Sequence, residues 1–461
     1  HFGVIFSDPV DGYVYAQPLY VANVPVPGLG TRNLIFVATE HDSVYAFDAD
    51  QQGNPVWKVN FIQPASGITT IPSTDTNCTD LVPEIGITGT PVIDAATSTL
   101  YVLVRTKENG QYFARLHALD LATGAEKLGG PTVISASVQT SNGAQVSFDA
   151  FLNNQRPGLL LNRGNVYLAF ASQCDNGPYH GWLLAYDAST LQQTAAFTTT
   201  PDGDEGGVWM SGASPSADAN GNVFIIAGNG TFDVDAGGRD YGDSFIKLNS
   251  TLSVLDFFTP FNQDSLSSLD WDLGSSGAIL LPDQAGAHPH LMLGAGKENP
   301  ARIYVIDRDN LGRFNSGSDS QIVQTITGAF ASGLFSTPAY WNGTIYFAAN
   351  HDVLKSYTLN NGLLSNSPTS QDSVSLAYPG ATPVVSANGN SGAIVWTLEN
   401  DKTGGNAVLR AYNATDVSQI LYSSKTAGAI TGAPVKFAVP TIANGKVYIG
   451  TQKALVVFGV R

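Results

Sequence analysis

Residues 206–230 read GGVWMSGASPSADANGNVFIIAGNG and contain the unit that decides the fold of this 461-residue chain. A short strand of small residues with one proline (213–218) is followed by a glycine turn and then by the apolar strand NVFIIAGN. Short runs of β-branched and aromatic residues, bounded by Gly, Pro and Asn, are typical of strands joined by tight turns. The segment therefore predicts consecutive antiparallel strands.

The same unit recurs along the whole chain. An apolar second strand follows each first strand, and most units add a third strand similar to SVYAFDAD (43–50). The eight first strands are 16–21, 89–94, 156–161, 213–218, 276–282, 336–341, 381–386 and 438–443. This repetition predicts an all-β fold, an eight-bladed β-propeller of four-stranded blades that forms one domain over residues 1–461. The last unit has only three strands, so we expect the N-terminal segment HFGVIF (1–6) to close the ring.

The charge balance excludes some classes of partner. The chain has 38 acidic and 22 basic residues and a net charge of −16. Nucleic acid and anionic membranes need a basic face, so neither is an expected partner. No run of 18 apolar residues exists, and we expect no transmembrane helix. The sequence leaves the oligomeric state open.

Several features predict a secreted protein. The chain begins at His1 without a Met, as expected of a processed mature protein. Cys78 and Cys174 fit one disulfide in an oxidising compartment, with two free buried thiols as the alternative. N-x-S/T sequons mark candidate N-glycosylation sites. They are Asn77, Asn229, Asn249, Asn342 and Asn413.

Propeller geometry places five polar or aromatic residues together. Trp209 and Asp272 fall in connections from one blade to the next, whereas Asp175, Asn229 and Lys297 fall in turns between second and third strands. Both kinds of connection lie on the same face of a propeller. We therefore expect all five side chains on one face near the axis, with Cys78 and Cys174 on that face too.

These motifs resemble those of the eight-bladed quinoprotein alcohol dehydrogenases, which use pyrroloquinoline quinone (PQQ) and Ca²⁺. The segment GGVWMSGASP is similar to the family motif whose Trp is the floor under the quinone, which implies that role for Trp209. The GNG turn resembles the turn whose Asn ligates calcium, which implies that Asn229 is a metal ligand. GKENPARIYVIDRD resembles the segment whose cation bonds the quinone oxygens, which corresponds to Lys297.

Two carboxylates complete the resemblance. Trp271-Asp272 is similar to the family segment whose Asp is the proposed general base and a metal neighbour, which implies both roles for Asp272. The carboxylate nearest to the position of the family's Glu ligand is Asp175. The chain departs from the family in lacking the vicinal Cys-Cys pair and in having Leu273 where the family has Tyr.

The chemistry of these residue types is consistent with that role. An aromatic floor holds a flat ring by stacking, and carboxylate and amide oxygens suit Ca²⁺. A carboxylate can take a hydroxyl proton, and an ammonium can stabilise a developing oxyanion. The first functional hypothesis is therefore a secreted oxidoreductase that oxidises an alcohol or a sugar in the axial pocket.

A second set of residues suggests another enzyme. His41, His180 and His351 occupy nearly the same place in three units and, with Tyr179 and Arg156, could form an acid/base pocket for a sugar acid. Glu84, Glu399 and Lys402 are the remaining candidates for this pocket. This set predicts a polysaccharide lyase acting on uronate-containing glycans. The third hypothesis is a non-catalytic scaffold that binds glycans or proteins.

Overall fold

The computed structural model describes residues 1–400 and 405–461, and these residues form a ring of eight blades. Each blade is built on four antiparallel strands, as the repeat predicts. From the axis outward, blades 1 to 4 consist of Leu19–Val26, Gly30–Ala38, Ser43–Asp48 and Trp57–Asn60; Val92–Asp94, Thr99–Glu108, Gln111–Asp120 and Thr132–Val133; Leu160–Asn162, Asn165–Ser172, Trp182–Asp187 and Gln193–Thr198; and Ser216–Ala217, Val223–Ile226, Phe245–Leu248 and Val254–Thr259.

Blades 5 to 8 repeat this order. They consist of Ile279–Leu280, Leu291–Ala295, Arg302–Asp307 and Gln324–Thr327; Ala339–Trp341, Thr344–Ala348, Leu354–Asn360 and Ser370–Gln371; Val384–Asn388, Ser391–Glu399, Val408–Asn413 and Asp416–Ser423; and Thr441–Ala443, Lys446–Gly450, Ala454–Val460 and Phe2–Pro9.

Short accessory elements lie in the connections between these strands. The additional strands are Ile68–Thr69, Ile71–Pro72, Glu84–Ile85, Ser137–Gln139, Gln145–Ser147, Asn153–Asn154, Arg313–Phe314 and Leu363–Leu364. The described residues contain one α-helix, Gln263–Ser268, and the 3₁₀ turns Pro64–Ser66, Ser73–Thr76, Val234–Ala236 and Leu273–Ser275. No helix among them is long and apolar enough to span a bilayer.

The inner strands begin three or four residues later than the sequence predicts. Six of the eight start directly after a proline. Proline has no backbone N–H and cannot donate to the ladder, so pairing begins at the next residue. These prolines are Pro18, Pro91, Pro215, Pro338, Pro383 and Pro440. The residues just before them are consequently free of the sheets, and many of them face the axis.

The N-terminal strand closes the ring, as expected. Phe2–Pro9 pairs antiparallel with Ala454–Val460, from Phe2 opposite Val460 to Pro9 opposite Ala454. The Phe2 ring packs against Trp396 with the ring centroids 5.5 Å apart. The last blade is therefore completed by the first residues of the chain.

Apolar side chains fill the interfaces between neighbouring blades. Between blades 5 and 6, Leu293, Ile303 and Phe347 are completely buried. The interface between blades 8 and 1 is built in the same way, with Tyr448 packed in one cluster with Ile35. Because both faces of a blade are covered, its strands are apolar on both sides. This packing makes the scaffold that holds the axial residues.

Candidate functional site

A small cavity lies on the axis at the end of the propeller where the inner strands begin, and we call it the upper cavity. Its volume is about 130 Å³. Four of the five predicted residues line it, namely Asp175, Trp209, Asp272 and Lys297. They come from blades 3, 4 and 5 and from the connections between those blades. The structure therefore brings together side chains that are up to 122 residues apart.

Asp272 is at the centre of the polar network. It directly precedes the 3₁₀ turn Leu273–Ser275, and only 6 % of it is exposed. Its Oδ1 accepts a hydrogen bond from the backbone N–H of Asn229 at 2.8 Å. Its Oδ2 lies 2.8 Å from Nζ of Lys297. One carboxylate is thus fixed between a backbone amide and an ammonium.

Lys297 connects two carboxylates. Its Nζ donates to Oδ1 of Asp270 at 2.8 Å in addition to pairing with Asp272. Burial alone lowers the pKa of this lysine, but the adjacent carboxylates of Asp272 and Asp270 raise it above its ordinary value. Lys297 therefore stays protonated at neutral pH and supplies a fixed positive charge.

Asn229 is the fifth predicted residue and lies behind Asp272. The amide nitrogen donates to Oδ1 of Asp270 at 2.9 Å. The amide oxygen Oδ1 is buried and has no hydrogen-bond partner among the described residues. A buried acceptor without a partner is costly, so an unpaired oxygen beside two carboxylates indicates a place for a cation or a donor.

Glycine is required at position 228 for this arrangement. A Cβ on Gly228 would collide with the carboxylate of Asp272 and would lie 3.0 Å from Cδ1 of Trp209. The backbone of the GNG turn therefore approaches both side chains as closely as the chain allows. Trp209 itself is half-buried, and its Nε1 has no partner among the described residues.

Asp175 forms the opposite wall of the upper cavity. Its Oδ1 accepts hydrogen bonds from the hydroxyl of Tyr179 at 3.1 Å and from that of Ser172 at 3.2 Å. Burial raises the pKa of Asp175, and the nearby charge of Asp272 adds to this increase. Burial also raises the pKa of Tyr179, so its phenol remains a donor to Asp175.

A disulfide joins Cys78 and Cys174, the residue before Asp175. It ties the loop before blade 2 to a turn of blade 3, as the shared face predicted. Cys174 and Asp80 both line the upper cavity. Disulfides form and persist in oxidising compartments, which is consistent with an extracellular protein.

Aromatic residues that the sequence analysis missed form a cluster that lines the upper cavity, and we call it the aromatic cluster. They are Phe335, Tyr378 and Phe437, with ring centroids 5.6 Å apart for the first pair and 6.2 Å for the second. The guanidinium carbon of Arg156 lies 3.9 Å from the centre of the Phe437 ring. Phe335 and Phe437 each lie three residues before an inner-strand proline, and that spacing is the signal that could have located them.

The three histidines do not meet. His41 pairs with Glu84, with Nδ1 and Oε1 3.0 Å apart, and the ring of His180 lies 2.9 Å from the carbonyl oxygen of Thr200. His351 is exposed. None of the three lines the upper cavity. Blades 1, 3 and 6 carry them, so their equivalent positions are distributed around the ring.

The other members of the second set are dispersed as well. Glu399 is buried in an ion pair with Arg410, and Tyr179 is engaged by Asp175. Arg156 lines the upper cavity, on the axis and apart from the histidines. Lys402 lies outside the described residues.

Comparison with known proteins identifies the fold. No protein-family model matches the chain, and no curated protein matches it. Among solved structures, the quinohemoprotein alcohol dehydrogenase from Comamonas testosteroni is 16 % identical, with a TM-score of 0.61 over 100 % of this chain and 77 % of that one. A second quinohemoprotein alcohol dehydrogenase, ADHIIG from Pseudomonas putida HK5, is 14 % identical, with a TM-score of 0.61 over 99 % and 76 %.

A protein with another name has the same fold. BamB from Moraxella catarrhalis is 13 % identical, with a TM-score of 0.57 over the full length of both chains. At such identities the likeness establishes the propeller fold alone. The chain therefore has a quinoprotein-like β-propeller fold, and its function has to be argued from the axial site.

Proposed function

We propose that the upper cavity is the redox site of a quinoprotein-type oxidoreductase that oxidises an alcohol or a sugar. The observation that supports this most strongly is the network in which Asp272 bonds Asn229 and Lys297 in the cavity that Trp209 also lines. An aromatic face, oxygen donors and a fixed cation in one enclosed place are the parts that such chemistry needs.

The side chains fit a calcium ion. Ca²⁺ takes carboxylate and amide oxygens as ligands, and the unpartnered Oδ1 of Asn229 is a buried oxygen of this kind. Asp272 and Asp175 supply carboxylate oxygens at the upper cavity, and Asn229 contacts Asp272 from behind it. When bound, the quinone supplies a two-electron acceptor and the metal polarises its carbonyl.

The fit of the quinone depends on the aromatic cluster. Small-molecule sites usually have volumes of roughly 300–1,000 Å³, and the upper cavity is smaller at about 130 Å³. Tyr378 belongs to the aromatic cluster and is 43 % exposed. It is the side chain that would have to move for a flat three-ring ligand to reach Trp209.

Residues of the chain have separate roles in the proposed reaction. Asp272 accepts the hydroxyl proton of the substrate. Lys297 stays protonated and holds a positive charge beside that carboxylate. The turn around Gly228 packs closely against both Asp272 and Trp209. The uronate lyase hypothesis has less support, because none of its three histidines lines the upper cavity.

Dye reduction tests the proposal. We expect the purified protein, after incubation with PQQ and CaCl₂, to reduce an electron-accepting dye with at least one member of a panel of alcohols and sugars. Asp272→Asn should lower turnover at least a hundredfold, because the carboxylate that takes the proton is lost. Asp235→Asn, at an exposed site outside the cavity, is the matched control and should keep full turnover.

Two results would contradict the proposal. Full activity in Asp272→Asn would remove this residue from the chemistry. A wild-type protein that neither takes up the quinone nor reduces the dye would favour the scaffold hypothesis instead.

We further propose that the protein is secreted and carries N-glycans at exposed sequons. Asn77 and Asn342 are exposed, and Asn249 and Asn413 are half-buried. Asn229 is only 7 % exposed, and its amide is bonded to Asp270, so a glycan there would dismantle the site. Mass spectrometry of protein from a eukaryotic secretory host should find glycan on Asn77 or Asn342 and none on Asn229.

A further inference from the structure

A second and larger cavity lies on the axis below the first, and we call it the lower cavity. Its volume is about 560 Å³, within the range of roughly 300–1,000 Å³ that small-molecule sites occupy. Its walls are the inner strands and the residues just before them, including 158–160, 213–217 and 278–280. Arg156 and Phe437 line both cavities and separate them.

In most blades, a residue that directly precedes a proline lines this cavity. The residues of this kind that line it are Gln17, Thr90, Arg156, Ser214, Thr337 and Val439. Arg156 is the one charged side chain among the lining residues of the described chain, and no carboxylate lines the lower cavity. The repeat thus places a single cation in a ring of neutral side chains.

This cation has no protein partner of its own. The Arg156 guanidinium makes no hydrogen bond or ion pair with the described residues, and its closest interaction is with the face of Phe437 at 3.9 Å. The buried Arg105 shows the usual alternative, since its guanidinium donates to Asn154 at 3.0 Å and to the carbonyl of Ala150 at 2.9 Å. Arg156 is half-buried, and Asp80, whose carboxylate acts on it electrostatically, is paired with Lys436 instead. A partly desolvated charge without a hydrogen-bonded counter-ion is costly, and a bound anion removes that cost.

Two hydroxyl groups without hydrogen-bond partners among the described residues line the lower cavity together with Arg156. Tyr15 lines the lower cavity and is 8 % exposed, and its hydroxyl makes no hydrogen bond to the described residues. Burial raises its pKa, so the phenol remains a donor at neutral pH. The Oγ1 of Thr337 is also without a partner there. A planar guanidinium with neighbouring hydroxyl donors matches the geometry of a carboxylate.

We propose that the lower cavity binds a small monocarboxylate. Its carboxylate pairs with the guanidinium of Arg156 and accepts a hydrogen bond from the hydroxyl of Tyr15. One cation balances one carboxylate, and the apolar walls formed by Leu160, Ile279 and Val439 cover the body of the ligand. This site shares Arg156 and Phe437 with the upper cavity, but its ligand pairs with no residue of the proposed redox network and does not require a quinone.

Isothermal titration calorimetry with hexanoate, benzoate and gluconate tests the site. We expect at least one of the three to bind the wild-type protein with one site per chain, and hexanol to bind at least tenfold more weakly than hexanoate. Arg156→Met should weaken carboxylate binding at least tenfold, and Arg156→Lys by less, because the charge remains but the planar fork is lost. Tyr15→Phe should weaken it a few fold.

A blocking variant separates loss of the site from loss of the fold. Ser214 lines the lower cavity and not the upper one, so Ser214→Trp places a large side chain in the lower cavity. It should abolish carboxylate binding while its thermal unfolding stays cooperative. Undiminished binding in Arg156→Met, equal binding of hexanol and hexanoate, or no binding of any of the three carboxylates to the wild-type protein would overturn the proposal.

Discussion

Glu40 and Asp42, in the turn after the second strand of blade 1, are completely buried carboxyl groups. Oε2 of Glu40 accepts a hydrogen bond from the backbone N–H of Gly86 at 2.7 Å. Burial nevertheless raises the pKa of Glu40 to about 7, and it raises that of Asp42 well above its ordinary value. In the folded protein these groups keep protons that the unfolded chain would release.

This sets the direction of a pH dependence. A raised carboxyl pKa means that the folded state binds more protons than the unfolded state, so the free energy of unfolding falls as pH rises. For Glu40 this fall occurs between about pH 4.5 and about pH 7. At about 1.4 kcal/mol per pH unit, the deprotonation of Glu40 lowers the free energy of unfolding by about 3 kcal/mol over this window.

Urea unfolding at several pH values between 4.5 and 8 measures this contribution. Glu40→Gln should lose much less stability than the wild-type protein as pH rises through the window. Parallel curves for the two proteins would show that Glu40 does not titrate in this range.

Single residues were predictable where local turn chemistry identifies them. The GNG turn and the polar residues after apolar strands indicated Asn229, Asp272 and Lys297. Phe335 and Phe437 of the aromatic cluster were not found, because an aromatic residue before a strand is usually part of the core. Whether such a residue reaches the cavity depends on its distance from the propeller axis, and the sequence pattern does not reveal that distance.

At the scale of elements, the turn that carries Asp175 is fixed by contacts with a loop outside its own blade. The disulfide joins Cys174 to Cys78, and Nδ2 of Asn176 donates to the carbonyl of Thr76 at 2.9 Å. Both contacts link this turn to the loop before blade 2. Cross-links between blades thus position one wall of the upper cavity.

Removing the cross-link should have a large effect. The two cysteines are 96 residues apart in sequence, and closing a loop of this length stabilises a protein by about 4–5 kcal/mol in the chain-entropy description. Cys78→Ser/Cys174→Ser should therefore unfold at a clearly lower urea concentration under non-reducing conditions. An unchanged midpoint, or equal midpoints for the wild-type protein with and without a reductant, would contradict a stabilising role.

Element boundaries were less predictable than element number. The repeat predicted eight inner strands, but each begins three or four residues later than the apolar pattern indicated. Pro18 illustrates the reason, since pairing starts at Leu19 once the proline has interrupted the ladder. The displaced residue Gln17 then faces the lower cavity. The strand propensity of the residues predicts that a strand forms, whereas the available backbone N–H donors determine the residue at which it begins.

At the scale of the whole molecule, ring closure determines which residues can meet. Asp175, Asn229 and Lys297 follow the second strands of adjacent blades 3, 4 and 5 and converge. His41 and His351, on blades 1 and 6, occupy equivalent positions and do not. Equivalent positions in a repeat are related by rotation about the axis, so similar spacing alone predicts a ring of residues. Side chains at equivalent positions meet only if their blades are neighbours or if they lie close to the propeller axis.

The closing strand offers a test at this scale. A chain lacking residues 1–9 would leave the strand Ala454–Val460 with an unpaired edge and would lose the packing of Phe2 on Trp396. We expect a lower thermal midpoint and association between chains, and partial recovery when a peptide of residues 1–10 is added. A truncated protein that stays monomeric with the wild-type midpoint would contradict closure by this strand.

Equilibrium binding of the quinone is the most direct test of the axial redox site. Purified protein should be titrated with PQQ in the presence of Ca²⁺ and in the presence of a chelator, with bound quinone measured after dialysis. We expect one quinone per chain, binding that depends on calcium, and at least tenfold weaker binding in Trp209→Ala or Asn229→Ala. Calcium-independent binding, or binding unchanged in both variants, would contradict a site built from these side chains.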